Sequence, residues 1–413
     1  MELVTKKGAA QSLPKGFKQT EVGLIPEDWS FEILSELCSK ITDGTHDTPK
    51  PISKGVPFLT AIHVKENKIH YKDCYFLSEE VHNEIYRRCN PEMNDVLMVN
   101  IGAGVGTTAL VKVDYEFSLK NVALLKSSNK IDGSYLNNTL ISRKRRILKD
   151  FIAGGAQPFL SLGQISRIQI PTPPTLKEQQ AIATALSDVD ALISSLDALI
   201  TKKKAIKQGA MQQLLTPPHK DGKRLPGFSG EWGSYTIEEV ADCLDNLRIP
   251  LNGEVRAKMN GDIPYCGANG IVDYVNDYVL DDDVILMAED GGYFDEYKTR
   301  PIAYRINGKC WVNNHAHILK AKKQFDQGFL FYSLVHKNIL DYINGGTRAK
   351  LNKSEMNKIE NWFPNSKDEQ TAISEILSDM DIELEQLQSK TAKYQQVKQG
   401  MMQELLTGKT RLV

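Results

Sequence analysis

The side chains of this sequence best suited to chemistry are amides, arginines and lysines set in polar loops, and what they suit is hydrogen bonding to base edges and phosphates. The first half of the chain offers Thr42, Asp43, Thr45 and His46, then Asn100 ahead of a glycine-rich loop. Lys120 with Asn121, the basic run Arg143, Lys144, Arg145 and Arg146, and Gln157 follow. The second half offers Arg248, Asn269, Asp290, Asn313-Asn314-His315, and Arg348 with Lys350. Arginine and lysine fit the guanine edge, asparagine and glutamine fit adenine, and basic clusters fit phosphates. Taken singly, each of these residues is more readily a solvated loop or turn former, and the run from 143 to 149 can also be read as a helix face. Taken together, two loop-rich groups favour nucleic acid.

Motifs for catalysis are incomplete. A P-loop requires Gly-x-x-x-x-Gly-Lys-Ser/Thr, and Gly408-Lys409-Thr410 lacks the upstream glycine. Gly102-Ala103-Gly104-Val105-Gly106 could suggest a phosphate cradle. Thr107 to Val113 reads as a strand rather than the required helix, so a tight turn is the better reading, with a backbone able to approach DNA closely. Glu296-Tyr297-Lys298 imitates half of a nuclease metal site without the preceding Pro-Asp, and reads as a charged loop. His315 and His317 beside Cys310 fit no common zinc spacing and are explained as alternating residues of a strand. Asn90-Pro91-Glu92-Met93 departs from the Asn/Asp-Pro-Pro-Tyr/Phe signature of amino-methyltransferases where stacking on the base is required. No catalytic residue, metal ligand or cofactor site is assigned, and the chain reads as a binder.

The elements that must position the polar loops are announced by a repeat. Residues 178–216 realign on 369–407 at a constant offset of 191 without a gap, with 18 of 39 positions identical. Internal repetition on this scale means a duplicated structural unit. Both copies carry an apolar seam at steps of four and three: Ile182, Leu186, Val189, Ile193, Leu196 and Ile200 in one, Ile373, Leu377, Met380, Leu384 and Leu387 in the other. That alternation predicts helices packed as a coiled coil, each roughly 58 Å long at ~1.5 Å per residue. The repeat continues weakly outside the helices: Gly154-Gly155, Leu160, Ile168 and Pro173 recur as Gly345-Gly346, Leu351, Ile359 and Pro364, and Trp29 resembles Trp232. The remaining sequence differs between the halves, which predicts one scaffold carrying two surfaces.

The expected fold is α+β: two mixed α/β domains separated by two long helices forming an antiparallel coiled coil, with internal pseudo-two-fold symmetry. The antiparallel sense follows because the ends of a compact domain tend to lie close together, so the end of helix one and the start of helix two become neighbours. The boundaries read as a tail 1–15, domain one 16–176, helical region 177–216, domain two 217–366, helical region 367–408, and a tail 409–413. At 413 residues two domains is the natural count. Six scattered cysteines without Cys-x-x-Cys suit a reducing cytoplasm. The longest apolar runs fall short of the ~20 residues that span a bilayer, and the N-terminus lacks the apolar stretch of a secretory signal. A net charge of −1 argues only weakly against DNA, since a partner can supply phosphate contacts.

With these features in place, the sequence resembles the specificity subunits of type I restriction–modification systems. The resemblance rests on Thr20-Glu21-Val22-Gly23-Leu24-Ile25-Pro26-Glu27-Asp28-Trp29 opening domain one and Arg224-Leu225-Pro226-Gly227-Phe228-Ser229-Gly230-Glu231-Trp232 opening domain two. It rests also on the Lys-Gln-Gly-x-Met-Gln-x-Leu-Leu-Thr that ends both helices. It implies two target-recognition domains on double-stranded DNA. It also implies assembly with two modification (methyltransferase) subunits holding S-adenosylmethionine and two restriction subunits using ATP and magnesium, with no cofactor in this chain. Two other readings remain: a coiled-coil adaptor between proteins without a DNA role, and a self-sufficient nuclease or methyltransferase.

Overall fold

A computed structural model of the chain describes residues 13–21, 23–65, 67–151, 158–345 and 349–412. The chain forms two compact units, Met1–Leu196 with Thr391–Val413 and Asp197–Lys390, so each long helix contributes to both.

In the first unit, strands β1 (Lys40–Asp43), β2 (Val96–Val99), β3 (Thr108–Leu110) and β4 (Val122–Lys126) form an antiparallel sheet in the order β3-β2-β4-β1. Alternation along a strand sends successive side chains to opposite faces, and here both faces are covered. Val96, Met98, Ala123 and Leu125 pack with Tyr135, Leu136, Leu140 and Ile147 of helix α1 (Gly133–Phe151). Leu97, Val99, Val122 and Leu124 pack with Leu59, Phe117 and Leu119. Leu59 and Leu119 come from a smaller sheet in which Ser118–Lys120 runs parallel to Val56–Thr60.

In the second unit the strands are β5 (Ala241–Cys243), β6 (Ile263–Gly267), β7 (Gly270–Val275), β8 (Leu280–Ala288), β9 (Ala303–Val312) and β10 (Ala316–Ala321). Their order is β5-β10-β8-β9-β6-β7, and β6 runs parallel to β9. The first four strands restate the order β1-β4-β2-β3, and the parallel β6–β9 pair restates the parallel pair of the smaller sheet. The difference is that β9 runs through ten residues where domain one breaks between Leu110 and Ser118. Helix α1 and its counterpart, Gln327–Leu334, each start on an aspartate: Asp132 accepts from the Tyr135 amide at 2.9 Å and Asp326 from the Phe329 amide at 2.7 Å, the usual satisfaction of helix-start donors. Each domain also closes on itself, Ser30–Ile33 pairing with Gln169–Thr172 and Trp232–Thr236 with Glu360–Pro364. The start and end of each domain are therefore adjacent.

The long helices are α2 (Leu176–Leu214) and, with Gln327–Leu334 as α3, α4 (Lys367–Leu405), each of 39 residues. Within each unit their segments run antiparallel. In the second unit Lys203 pairs with Glu383 and Lys207 with Asp381, one numbering rising as the other falls. In the first, Lys398 reaches Asp190 at 2.6 Å, the same pair at the 191-residue offset. Ile182, Leu186, Leu196, Ile373, Leu377 and Leu384 are buried, and Val189, Ile193, Ile200, Met380 and Leu387 are half-buried. Ile182 and Leu186 belong to the domain-one core with Leu405 and Leu406, and Ile373 and Leu377 to the domain-two core with Met211 and Leu214 packed against it. The helix ends are thus parts of the domain cores.

A polar joint fastens each helix start to its domain. Gln179 accepts from the Asp132 amide at 2.9 Å and Gln370 from the Asp326 amide at 2.8 Å. Glu178 and Glu369, both buried, each receive a two-pronged arginine, Arg411 in the first unit and Arg224 in the second. Arg411 also grips Asp28, and Leu412 packs on the core. Arg411 and Leu412, read from the sequence as part of a C-terminal tail, belong to the domain-one joint.

Candidate nucleic-acid interface

Strand register gathers the domain-one candidates. Val122 faces Val99, and Ala123 faces Asp43, so β1 and β2 finish, and β4 starts, at one end of the sheet. Thr42 and Asp43 are buried there. His46 lies 3.2 Å from Asp43 and 2.9 Å from the Asn121 side chain, and Arg88 pairs with Asp43. Lys120 bonds Thr48, while the Asn121 amide reaches the Thr45 carbonyl. Asn121 sits at φ +52°, a left-handed turn that asparagine tolerates. The glycine loop leaves β2 at this same end, with Gly102 and Gly106 at φ +88° and +76°, and of the residues from Thr107 to Val113 read as a strand, Thr108–Leu110 form one.

Asn100 stands where β2 ends. Its backbone carbonyl accepts from Leu160 at 2.8 Å, and Ile101 bridges Phe159. Of the basic run on α1, Lys144 reaches Thr107 at 2.7 Å beside the glycine loop, Arg145 is exposed, and Arg146 pairs with Asp150. Arg143 is half-buried, and burial draws its pKa down to about 10. Gln157 lies outside the described residues.

Domain two repeats the arrangement with more charge. Asp245 follows β5 and holds His317 at 2.7 Å and the Ile318 amide at 3.0 Å. Arg248, predicted as a base reader, is drawn inward: its guanidinium meets Asp245, Glu289 and the Ala316 carbonyl. Lys350 meets Glu289 at 3.0 Å. Asp290 holds His315 at 2.5 Å, and the Glu289 amide bonds the His315 carbonyl. Asn313 is buried and accepts from the His315 amide, whereas Asn314 is exposed. Asn269 reaches the Gly291 carbonyl at 2.9 Å. Asn269, Asp290, Asn313 and His315 line one cleft of about 560 Å³ together with Arg256 and Tyr265. Arg348 lies outside the described residues.

Sequence reasoning missed Arg88 and Arg256. Arg256 stacks on Tyr265, 5.0 Å from the ring centroid, and pairs with Asp273 at 2.9 Å; a single arginine closing a short helix carries no sequence signal for that.

Both ring nitrogens of His317 face acceptors, Asp245 and the Leu351 carbonyl at 2.9 Å, so the ring carries two protons. Burial disfavours that charge, but the bond to Asp245, helped by Cys243 and the Leu351 carbonyl, raises the pKa to about 9. Cys243, Asp245 and His317 converge within 4.8 Å.

The domain model for the type I restriction modification DNA specificity domain matches residues 26–208 and again 229–394. The chain belongs to this family. A putative type I restriction enzyme specificity subunit of Haemophilus influenzae is 36% identical over 137 residues, about a third of either chain (33% of this one and 34% of that). The putative MjaX specificity subunit of Methanocaldococcus jannaschii is 26% identical across 96% of this chain and 97% of its own. Among solved structures, a type I S subunit from M. genitalium shares the fold with a TM-score of 0.65 at 16% identity, covering 91% of this chain and 96% of that one. Each specificity domain of the present chain thus carries one cluster of polar loops at the end of its sheet.

Proposed function

We propose that this chain is the non-catalytic, DNA-reading subunit of a type I restriction–modification complex, each domain reading one half of a split, asymmetric site. The helices set the unread spacer and dock two modification subunits, which hold S-adenosylmethionine and act on adenine. Two restriction subunits using ATP and magnesium complete the assembly, and the chain itself needs no cofactor. Adenine lies stacked in duplex DNA, so the modification subunits must flip it out, and the reading domains place them over it.

The observation that carries this reading is that two domains with one strand order present unlike side chains at the same sheet end. Matched scaffolds with unmatched loops suit two different base sequences. The helices, in contrast, repeat even their Asp–Lys pairs, which suits one kind of partner bound twice.

Selection from a randomised duplex pool by the assembled complex tests it. Wild type is expected to recover a two-part motif. Asn314→Ala should relax only one part and His46→Ala only the other, each by about 1–3 kcal/mol where a bidentate contact is lost. Equal relaxation of both parts by either variant sinks the assignment of one domain to one half-site.

A further inference from the structure

The two sheet ends match residue for residue. The Leu160 amide bonds the Asn100 carbonyl in domain one, and the Leu351 amide bonds the Glu289 carbonyl in domain two. Ile101 bridges Phe159, and Asp290 bridges Lys350. Asn100 therefore occupies the place of Glu289, and Phe159 the place of Lys350. In domain two this place is closed, because Glu289 is held by both Arg248 and Lys350. In domain one the matching side chain is buried without such partners. Asn100 is 3% exposed, and its side-chain oxygen has no hydrogen-bond partner among the described residues. Phe159, beside it, is 49% exposed.

A buried amide oxygen without a partner is costly to keep, and the neighbouring fold shows how the same position can be satisfied internally. The amide is also the group whose donor and acceptor match the N7 and N6 of adenine together. Resting on the DNA-reading function above, we propose that Asn100 is a specificity-determining residue of domain one: its amide completes its hydrogen bonds on an adenine edge, with Phe159 giving the apolar contact alongside. Domain two, whose matching carboxylate is consumed by its own cations, reads through Asn314, His315 and the cleft lined by Arg256.

The test is base selection by the full chain assembled with its modification subunits, from a randomised duplex pool, for wild type, Asn100→Asp, Asn100→Ser and Phe159→Ala. Aspartate keeps the acceptor and loses the donor, so Asn100→Asp should turn one adenine position of one half-motif towards cytosine. Asn100→Ser should cut the adenine preference there about tenfold. Phe159→Ala should weaken that or the adjoining position, and the other half-motif should not change. If Asn100→Asp lowers the unfolding temperature, Asn100→Ser decides. Both half-motifs kept intact by the Asn100 variants, or a uniform drop across all sequences, overturns the inference. A wild-type complex that selects no motif overturns instead the function on which it rests.

Discussion

The sheet ends of the two domains differ chiefly in how far they are locked. Domain two knits Asp245, Arg248, Glu289, His317 and Lys350 into a cluster of charges. At the matching places domain one has Asp43, His46, Asn100, Ala123 and Phe159, and keeps only the aspartate with its histidine and arginine neighbours. The strands and their order are the same, so the locking is not needed to form the fold. It belongs to the loops. A scaffold whose core is fixed by two covered sheet faces can tolerate either arrangement at its end, which is the property a pair of unlike readers requires.

If the scaffolds match, their joints should fail alike. Arg224→Ala strands the Glu369 carboxylate and Arg411→Ala strands Glu178, both almost fully buried. Removing one partner of a buried pair costs about 3–5 kcal/mol, a large part of a domain's stability. Denaturant titrations followed by hydrogen exchange of each unit should show similar losses, each confined to its own unit. A loss from Arg224→Ala alone would break the correspondence and return residues 409–412 to the status of a tail.

The locked end should also titrate. The folded pKa of His317, about 9, lies above its ordinary value of 6.5. A raised pKa stabilises fully below the unfolded value, and that stability is lost as pH rises through the folded one. The stability is thus lost between about pH 6.5 and 9, and the difference corresponds to roughly 3 kcal/mol. Ala123 holds the matching place in domain one. Unfolding free energies of wild type and His317→Gln should differ most near pH 6 and converge by about pH 10. A difference constant across that range would mean that His317 packs as a neutral ring.

How much of this was legible in the sequence depended on the kind of contact. The helices were legible because a constant offset and a 4-3 seam survive in the letters, and Leu176 and Lys367 begin them 191 residues apart. The nearness of each domain's two ends followed from connectivity, but the strand pairs that join them did not. The clustering of Asp43 with Asn121, or Asp245 with His317, was not legible, because strand register brings together residues more than 70 apart. Arg248 shows the limit most plainly. Its type suits a base edge, yet three internal acceptors hold it. Nor did periodicity reveal that the helix ends belong to the domain cores, since the seam pattern is the same whichever apolar partner covers it.

The smallest effect concerns the helix surface shared by both halves. Lys398–Asp190 and Lys207–Asp381 are the same pair at the repeat offset, partly exposed in both places. Pairs of this kind contribute about 0–1 kcal/mol, reduced by salt. Lys398→Glu should therefore cost little in unfolding free energy, and Asp190→Lys in the same chain should restore most of it. If the surface serves one kind of partner twice, the single charge reversal should weaken capture of one modification subunit and leave the second bound. Native mass spectrometry of the complex, at low and moderate salt, counts the subunits directly. Loss of both subunits from the Lys398→Glu variant would mean that they bind cooperatively rather than at two equivalent surfaces. Retention of both would leave the ion pair as a minor stabiliser of the helices and place the docking contacts elsewhere on them.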